Sequence, residues 1–265
     1  MDLGLTDARV VVTGGASNIG RGIVHAFAAE RARIVINDID APQAEKVRAE
    51  AQELGAADVK VAIADLTEPD GAAAAAGAAQ DAWGGLDVLV NNAGWSVPGF
   101  VATDTDRDKW QRTIEINLFS AIAATQAAIP IMKDAGGGAI VFIASDAAFG
   151  QIRQGVYGAS KAAMVALART TAREHGRHGI RSNIVCPGLV IPEGPEAVGA
   201  ESLWAVGQDA VFNEKQIDFM LKDTPLRRLT TAEDIGRAVL WFSSPTAARQ
   251  VTGQLISVSG GYTMP

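Results

Sequence analysis

A tyrosine and a lysine four residues apart, Tyr157 and Lys161, are the residues of this sequence that most clearly suggest acid–base chemistry. On a helix, positions four apart lie on the same face. Tyrosine has an unperturbed pKa of about 10, but a nearby ammonium group favours the phenolate. Lowering that pKa by roughly three units requires about 4 kcal/mol of differential stabilisation. The pair alone is also typical of a surface helix, so it predicts a proton-accepting tyrosine only together with other residues.

Two further polar residues would complete such a site. Ser145 follows an apolar run and could donate a hydrogen bond to a substrate oxygen, although a helix cap is the alternative. Asn117 is an uncharged polar residue in an apolar helical segment. It indicates a bound water, a backbone contact or a satisfied core amide. Together the four residues suit removal of a proton from an alcohol.

A glycine-rich segment, residues 13–22, follows the first predicted strand and precedes a helical pattern. Glycines let the backbone turn sharply and approach a pyrophosphate, whose charge then faces the helix N-terminus. A glycine cluster is also found at other tight turns, so its position after the first strand is what favours a dinucleotide site. The residues expected at this turn are Gly14, Ser17, Asn18, Ile19 and Gly20.

Asp38 stands at the end of the second predicted strand, where a carboxylate accepts hydrogen bonds from the adenosine ribose. It would repel a 2′-phosphate by about 4 kcal/mol per charge pair, for charges about 4 Å apart in an effective dielectric near 20. No basic residue offsets that repulsion at Ser17, Asn18, Ile39 or Asp40. NAD is therefore predicted in preference to NADP. The alternative for Asp38 is an Asx turn that initiates a loop.

Short apolar runs alternate with longer helical stretches along the chain. The runs are continuous rather than alternating in polarity, which indicates strands covered on both faces. Strand–helix alternation of this kind predicts an α/β fold with a doubly wound parallel sheet. The predicted strands are Arg9–Thr13, Arg33–Asp38, Val59–Asp65, Val88–Asn91, Ala139–Ala144, Arg181–Cys186 and Leu255–Val258, and crossover helices are expected at Arg21–Arg31, Ala41–Glu53, Lys109–Met132 and Tyr157–Gly176.

Composition narrows the class of function. The chain has 265 residues and a formal net charge of −7, and a dense basic patch is lacking, so no nucleic-acid partner is expected. The single cysteine, Cys186, excludes an internal disulfide and is predicted to be a small buried residue. No signal peptide or membrane span is apparent, so a cytoplasmic protein is expected. The three histidines have no ligand spacing, and no metal is predicted.

Residues 192–224 interrupt the strand–helix alternation. The segment contains Gly194, Pro195 and Gly199, followed by many apolar side chains. A long apolar segment just after a strand end predicts a lid over a substrate pocket, with a helical subunit contact as the alternative. Its apolar residues are Leu203, Trp204, Val206, Phe212, Ile217, Phe219 and Met220.

These features together resemble the short-chain dehydrogenase/reductase superfamily over essentially the whole chain. The resemblance implies one Rossmann-type domain, residues 1–265, with a seven-stranded parallel sheet flanked by helices. It implies that Tyr157 is the acid/base, Ser145 positions the substrate, Lys161 holds the nicotinamide ribose and lowers the tyrosine pKa, and Asn117 anchors a water of a proton relay. It also implies further cofactor contacts at Ile39, Asp65, Leu66, Asn91, Ala93, Gly94, Pro187, Gly188 and Val190, with Asp65 on the adenine amino group.

Three positions depart from the superfamily pattern. Asn18 replaces a glycine of the turn, but asparagine tolerates a positive φ better than other residues with a side chain. The interval from Ser145 to Tyr157 is twelve residues, one fewer than the pattern, which could reshape the pocket wall. Pro192 stands where a threonine commonly bonds the nicotinamide carboxamide, so that contact is not expected.

Within the superfamily, four segments are most similar to the 2-hydroxycyclohexanecarboxyl-CoA dehydrogenase group. The sequence therefore predicts an NAD-dependent enzyme that interconverts a secondary alcohol and a ketone on a bulky apolar, alicyclic or hydroxyacyl-CoA substrate. An NADH-dependent ketone reductase and a non-catalytic NAD-binding protein are the alternatives. The resemblance further implies a homotetramer. The residues expected to line the substrate pocket are Trp95, Ser145, Gln151, Arg153, Leu189 and Trp204.

Overall fold

The computed structural model describes residues 1–202, 204–205 and 213–265. Runs of valine, isoleucine and leucine form a seven-stranded sheet in the order β3-β2-β1-β4-β5-β6-β7, and every pairing in it is parallel. This confirms the predicted sheet: four strands have the predicted ends, and the ends of β3, β5 and β6 differ from the predicted ones by one or two residues. The strands are β1 (Arg9–Thr13), β2 (Arg33–Asp38), β3 (Asp58–Ile63), β4 (Val88–Asn91), β5 (Gly138–Ile143), β6 (Ile180–Pro187) and β7 (Leu255–Val258).

Helices cover both faces of the sheet, which explains why the strands are apolar on both sides. One face packs against α1, α2 and α8, and the other against α3, α5 and α6, each with its own cluster of buried side chains. The helices are α1 (Asn18–Ala29), α2 (Ala41–Glu53), α3 (Gly71–Trp83), α4 (Arg107–Ile114), α5 (Ser120–Asp134), α6 (Gly155–His175), α7 (Glu214–Asp223) and α8 (Ala232–Ser243).

The stretch from α4 to α5 is a continuous helix that contains a π-helical turn, Glu115–Phe119. Residues 107–134 are long enough to span a membrane, and they contain an 18-residue window with a mean hydropathy of 1.4. On α5, however, Ala124, Ala128 and Met132 are buried in the cluster beneath the sheet. Packing of this face against the sheet accounts for its apolar composition.

The strand order reverses between β1 and β4, and such a switch point opens a crevice at the carboxyl ends of parallel strands. The segments that follow β1, β2, β4, β5 and β6 all reach this edge. Part of the predicted lid also lies here, as a short 3₁₀ turn, Pro195–Ala197, and the exposed helix α7. The lid residues Leu203, Val206 and Phe212 lie outside the described residues.

Candidate active site

The turn between β1 and α1 is built for close approach of a ligand to its backbone. Gly14 has a φ of +59°, and a Cβ on it would lie 3.0 Å from the Cα of Ala93. A Cβ on Gly20 would overlap the carbonyl oxygen of Gly14. Asn92 fixes the turn from β4, because its Nδ2 donates to the carbonyls of Thr13 and Gly14 at 2.9 Å each. The glycines therefore leave a groove at the N-terminus of α1.

Asn18 adopts the positive φ expected for a residue that replaces glycine, with a value of +42°. Its side chain has a second contact, since Nδ2 donates to the carbonyl of Val190 at 3.3 Å. Val190 follows β6, on the opposite side of the cleft. Asn18 thus connects the glycine-rich turn to the loop after β6, which a glycine at this position could not do.

Asp38 lies at the end of β2 and accepts three backbone hydrogen bonds. Its Oδ2 accepts from Ala16 N at 2.9 Å, and its Oδ1 accepts from Ile39 N at 2.8 Å and Asp40 N at 3.1 Å. The bond to Asp40 is the Asx turn named as the alternative, so a turn and a cleft-facing carboxylate coexist. Burial raises the pKa of Asp38 above its usual value, although the three N–H groups favour the charged form.

These features fit a dinucleotide. The cleft has a volume of about 1260 Å³ and extends from Asp38 and Asp65, past the groove at α1, to Tyr157 and Lys161. A pyrophosphate suits the exposed N–H groups of the glycine-rich turn, and the carboxylate of Asp38 suits a ribose diol. Of the expected cofactor contacts, all line the cleft except Asn91. Asn91 is buried in the sheet, where its Nδ2 donates to Thr125.

Tyr157 and Lys161 lie on the first turns of α6, on the face that borders the cleft. The Nζ of Lys161 is 5.7 Å from the centroid of the Tyr157 ring and donates to the carbonyl of Ile143 at 2.8 Å. The Lys161 side chain is 3% exposed, and Gly94 makes room for it, since a Cβ there would lie 3.2 Å from Nζ. The pair predicted from its spacing is therefore held together inside the fold rather than on the surface.

Burial dominates the acid–base properties of this pair. It raises the pKa of Tyr157, and among neighbouring groups the Ser145 hydroxyl opposes that rise. It lowers the pKa of Lys161 to about 8. The expected depression of the tyrosine pKa is thus not a property of the protein without its cofactor. A low pKa at Tyr157 requires additional positive charge in the cleft, such as an oxidised nicotinamide ring.

Asn117 lies in the π-helical turn and is fully buried. Its Oδ1 accepts from Trp95 N at 2.6 Å, and its Nδ2 donates to Trp95 O at 2.9 Å and to Ser160 Oγ at 3.0 Å. Of the three alternatives, the structure thus shows a backbone contact that satisfies a core amide. π-helical turns are often found at functional sites. The π-helical turn at Glu115–Phe119 places Asn117 in contact with Trp95 and with Ser160 near the start of α6.

Ser145 ends the segment after β5 and combines its two alternatives. It caps a 3₁₀ turn, Asp146–Phe149, since its Oγ accepts from Ala147 N at 3.1 Å. It also lines the cleft beside Tyr157. A hydroxyl that accepts a backbone hydrogen bond keeps its own proton free to donate, so the cap leaves Ser145 able to donate to an oxygen in the cleft.

Beyond Tyr157, the cleft wall combines apolar side chains with polar and charged ones, among them Gln111 and Arg112. Five of the six expected pocket residues line it: Trp95, Ser145, Gln151, Leu189 and Trp204. Arg153 does not line the cleft. Its backbone oxygen accepts from Gly99 N at 2.8 Å, and its guanidinium lies 5.6 Å from the Phe100 ring centroid. Other residues of the wall were not predicted from the sequence, among them Phe149, Ile152, Met220, Tyr262, Thr263 and Met264.

Asp146, which follows Ser145 directly, is a buried carboxylate that sequence analysis also missed. Its Oδ1 accepts from Ser257 Oγ at 3.0 Å, and its Oδ2 has no hydrogen-bond partner among the described residues. Burial raises the pKa of Asp146 to about 6, although the hydroxyls of Thr263, Ser257 and Ser259 favour the carboxylate. The charged form of Asp146 therefore lowers the free energy of unfolding.

Replacing Asp146 by asparagine is expected to raise stability at neutral pH. An acid whose pKa rises on folding binds its proton more tightly when folded, so stability falls as pH rises from about 4 to about 6 and stays lower above that. The penalty is on the order of 2 kcal/mol, after an allowance for solvent screening. Urea unfolding of both proteins across this range measures the effect.

The difference between the two unfolding curves isolates the contribution of Asp146 from that of other groups. An exposed carboxylate on α5, Asp134, supplies the control variant Asp134→Asn. A wild-type advantage that grows as the pH rises would contradict the expected sign. An equal pH dependence in wild type and Asp146→Asn would show that the buried carboxylate imposes no penalty.

In the part of the chain that the structure describes, no group of three or more histidine, cysteine, aspartate or glutamate side chains could hold a metal ion. Cys186 is buried in β6, as predicted, and burial raises the pKa of its thiol to about 12. A thiol with so high a pKa is a poor nucleophile.

The sequence is similar to known proteins over nearly its whole length. A family model described as enoyl-(acyl carrier protein) reductase matches residues 14–263. The chain is 34% identical to (2S)-[(R)-hydroxy(phenyl)methyl]succinyl-CoA dehydrogenase subunit BbsD of Thauera aromatica, over 99% of each chain. It is 35% identical to 7alpha-hydroxysteroid dehydrogenase of Escherichia coli K12, over 95% of this chain and 92% of that protein.

Solved structures of dehydrogenases are also similar to this chain in fold and in sequence. A 7alpha-hydroxysteroid dehydrogenase in complex with NADH and 7-oxo glycochenodeoxycholic acid superposes with a TM-score of 0.88 at 34% identity, covering 98% of this chain and 96% of that one. A short-chain alcohol dehydrogenase from Sinorhizobium meliloti 1021 superposes with a TM-score of 0.88 at 31% identity, covering 99% and 98%. The likeness therefore extends over the whole fold.

Proposed function

Because the chain belongs to the short-chain dehydrogenase/reductase superfamily, we propose that it is an NAD-dependent enzyme that interconverts a secondary alcohol and a ketone on a bulky apolar substrate. Members of this superfamily are oxidoreductases that use nicotinamide cofactors. The observation that carries the proposal is the position of Tyr157 in the cleft wall, beside Ser145 and the buried Lys161.

In this mechanism Tyr157 is the acid/base. Ser145 donates a hydrogen bond to the substrate oxygen and holds its hydroxyl toward Tyr157 Oη. Tyr157 accepts the hydroxyl proton as the carbinol carbon loses its hydrogen with the electron pair. A bound nicotinamide ring supplies the acceptor for that hydride. In the reverse direction Tyr157 returns the proton to the carbonyl oxygen.

Lys161 and Asn117 support Tyr157. The ammonium of Lys161 favours the phenolate and stands where it would hold the nicotinamide ribose. Asn117 clamps both backbone groups of Trp95, so the wall opposite α6 keeps its place. By resemblance to the superfamily, Asn117 would also anchor a water that carries the proton outward.

Two substrate classes suit the wide end of the cleft. Its large apolar side chains, among them Trp95, Phe149 and Met220, favour a fused-ring or alicyclic alcohol. The 34% identity with the (2S)-[(R)-hydroxy(phenyl)methyl]succinyl-CoA dehydrogenase subunit favours a hydroxyacyl-CoA thioester. The cofactor is NAD because Asp38 faces the adenosine end. We further propose a cytoplasmic homotetramer in which residues 192–224 form the lid.

A screen of NADH formation tests this function. Purified protein with NAD is offered alicyclic alcohols, hydroxysteroids and hydroxyacyl-CoA thioesters, and the matching ketones are offered with NADH. We expect turnover with at least one class, and the faster direction at matched concentrations distinguishes a dehydrogenase from an NADH-dependent ketone reductase. Binding of NADH without turnover of any class in either direction would instead favour a non-catalytic NAD-binding protein.

A further inference from the structure

The loop after β6 is fastened to α2 by three side chains that the mechanism does not use. Asp40 Oδ2 accepts from Ala200 N at 2.9 Å. Gln43 Nε2 and Lys46 Nζ both donate to the carbonyl of Glu196, at 3.2 and 2.8 Å. We call Asp40, Gln43 and Lys46, with the two backbone groups that they bind, the latch. It joins positions more than 140 residues apart in the sequence.

The loop is shaped to fit this contact. Glu196 lies in the 3₁₀ turn Pro195–Ala197, and its carbonyl lies free to accept both donors. A Cβ on Gly199 would overlap the Asp40 carboxylate and would lie 3.1 Å from Gln43 Cβ. Ala197 is 4% exposed. A larger side chain at Gly199 would therefore separate the loop from α2.

The latch lies at the adenosine end of the cofactor cleft. Asp40, Gln43 and Gly199 line the cleft there together with Asp38. The backbone N of Asp40 donates to Asp38 Oδ1, so the latch adjoins the carboxylate expected on the ribose. Asp40 also caps α2 through Gln43 N, which fixes its position.

The other end of the same loop lies at the nicotinamide end. Gly188 and Val190 line the cleft near Lys161, and Asn18 binds the Val190 carbonyl midway. The loop from residue 188 to residue 200 thus lines the cleft at both halves of the dinucleotide site, through Gly188 and Val190 at one end and Gly199 at the other. A bound dinucleotide would contact both ends of this loop.

We propose that Asp40, Gln43 and Lys46 are positioning residues that hold the loop of residues 188–200 across the bound cofactor and so set its rate of dissociation. The inference rests on the proposed function only in requiring that the cleft bind a nicotinamide dinucleotide. It does not require a substrate or turnover.

Release of bound NADH, followed by its fluorescence in a stopped-flow displacement experiment, tests the latch. The double variant Gln43→Ala/Lys46→Met removes both donors to Glu196 O and leaves Asp40 and Asp38 intact. Loss of two hydrogen bonds is expected to raise the dissociation rate about tenfold. Gly199→Ala, which separates the loop from Asp40 without changing α2, is expected to do the same.

Arg48→Ala is the matched control, because Arg48 lies on α2 and pairs with Glu45 on the exposed side. It is expected to leave NADH release unchanged. Dissociation rates equal to wild type in both latch variants would overturn the proposal. So would a lower melting temperature with unchanged release, since that is the signature of a purely structural role. Wild-type protein that binds no NADH would overturn the proposed function, and the latch with it.

Discussion

A Tyr157→Phe variant is expected to bind NADH as wild type does and to lose 10²- to 10⁴-fold in kcat, about the range that general acid–base catalysis contributes. The substitution removes one oxygen from a ring that stays packed beside Lys161, whose Nζ lies 5.7 Å from the ring centroid. Binding is preserved because the glycine-rich turn, Asp38 and the loop after β6 are untouched. Steady-state rates with the best substrate, together with an NADH titration, separate the two effects.

The chain provides a close control for this experiment. Tyr262, the other of its two tyrosines, also lines the cleft. Tyr262→Phe is expected to alter KM at most, because Tyr262 lies in the segment after β7 rather than beside Lys161. A Tyr157→Phe enzyme that keeps wild-type kcat would refute the assignment of the acid/base. Equal losses in both variants would indicate that the phenols act through pocket shape rather than through proton transfer.

The protonation state of Tyr157 is expected to depend on the bound cofactor. Burial raises the pKa of Tyr157, so its phenol keeps its proton in the empty cleft, whereas Lys161, with a pKa lowered to about 8, stays largely charged at neutral pH. Desolvation disfavours the phenolate, and a nearby positive charge can reverse this effect on the tyrosine pKa. The phenolate therefore becomes accessible only when positive charge enters the cleft, which ties proton removal to the presence of an oxidised cofactor.

Local patterns in the sequence predicted the sheet, and they named side chains that the structure brings together in one cleft. Continuous apolar runs identify strands buried on both faces, and the positions after those strands fall on one edge of the sheet whatever the details of packing. Asn18 was expected to accept a positive φ, and its φ is +42°. The Tyr157–Lys161 spacing also sufficed, because four residues along a helix determine a shared face.

What the sequence did not predict depends on contacts between distant segments. Asn92 fixes the glycine-rich turn through backbone groups 78 and 79 residues away. Asp146 interacts with Ser257 across 111 residues. Neither has a local signature, since an isolated asparagine or aspartate after a strand is equally typical of a turn.

Arg153 shows the opposite error, a residue placed in the pocket by its neighbourhood in the chain. Its φ of +67° and the bond from Gly99 N turn the chain at this point. The side chain then lies over Phe100, while Gln151 and Ile152 line the cleft. A residue next to a wall residue in the sequence can therefore point its side chain away from the cleft. The backbone dihedral angles determine which of the neighbouring side chains faces the cleft.

Asp38→Asn is expected to raise affinity for NADPH relative to NADH by about 10²- to 10³-fold. The estimate follows from about 4 kcal/mol of repulsion per charge pair between the carboxylate and a 2′-phosphate. Asparagine keeps an oxygen that can accept from Ala16 N or from Ile39 N and Asp40 N, so the turn is expected to survive. Fluorescence titrations with both reduced cofactors measure the ratio without a substrate. Asp81→Asn, an exposed carboxylate on α3 away from the cleft, is the control.

The pH dependence of that ratio distinguishes charge from shape. Burial raises the pKa of Asp38, so its carboxylate gains a proton at a higher pH than an ordinary aspartate does. Wild-type preference for NADH over NADPH should then weaken as pH falls, whereas in Asp38→Asn the only remaining change is the titration of the phosphate itself. The difference between the two profiles belongs to Asp38. Parallel profiles would mean that the adenosine end selects its cofactor by space rather than by the charge of this carboxylate.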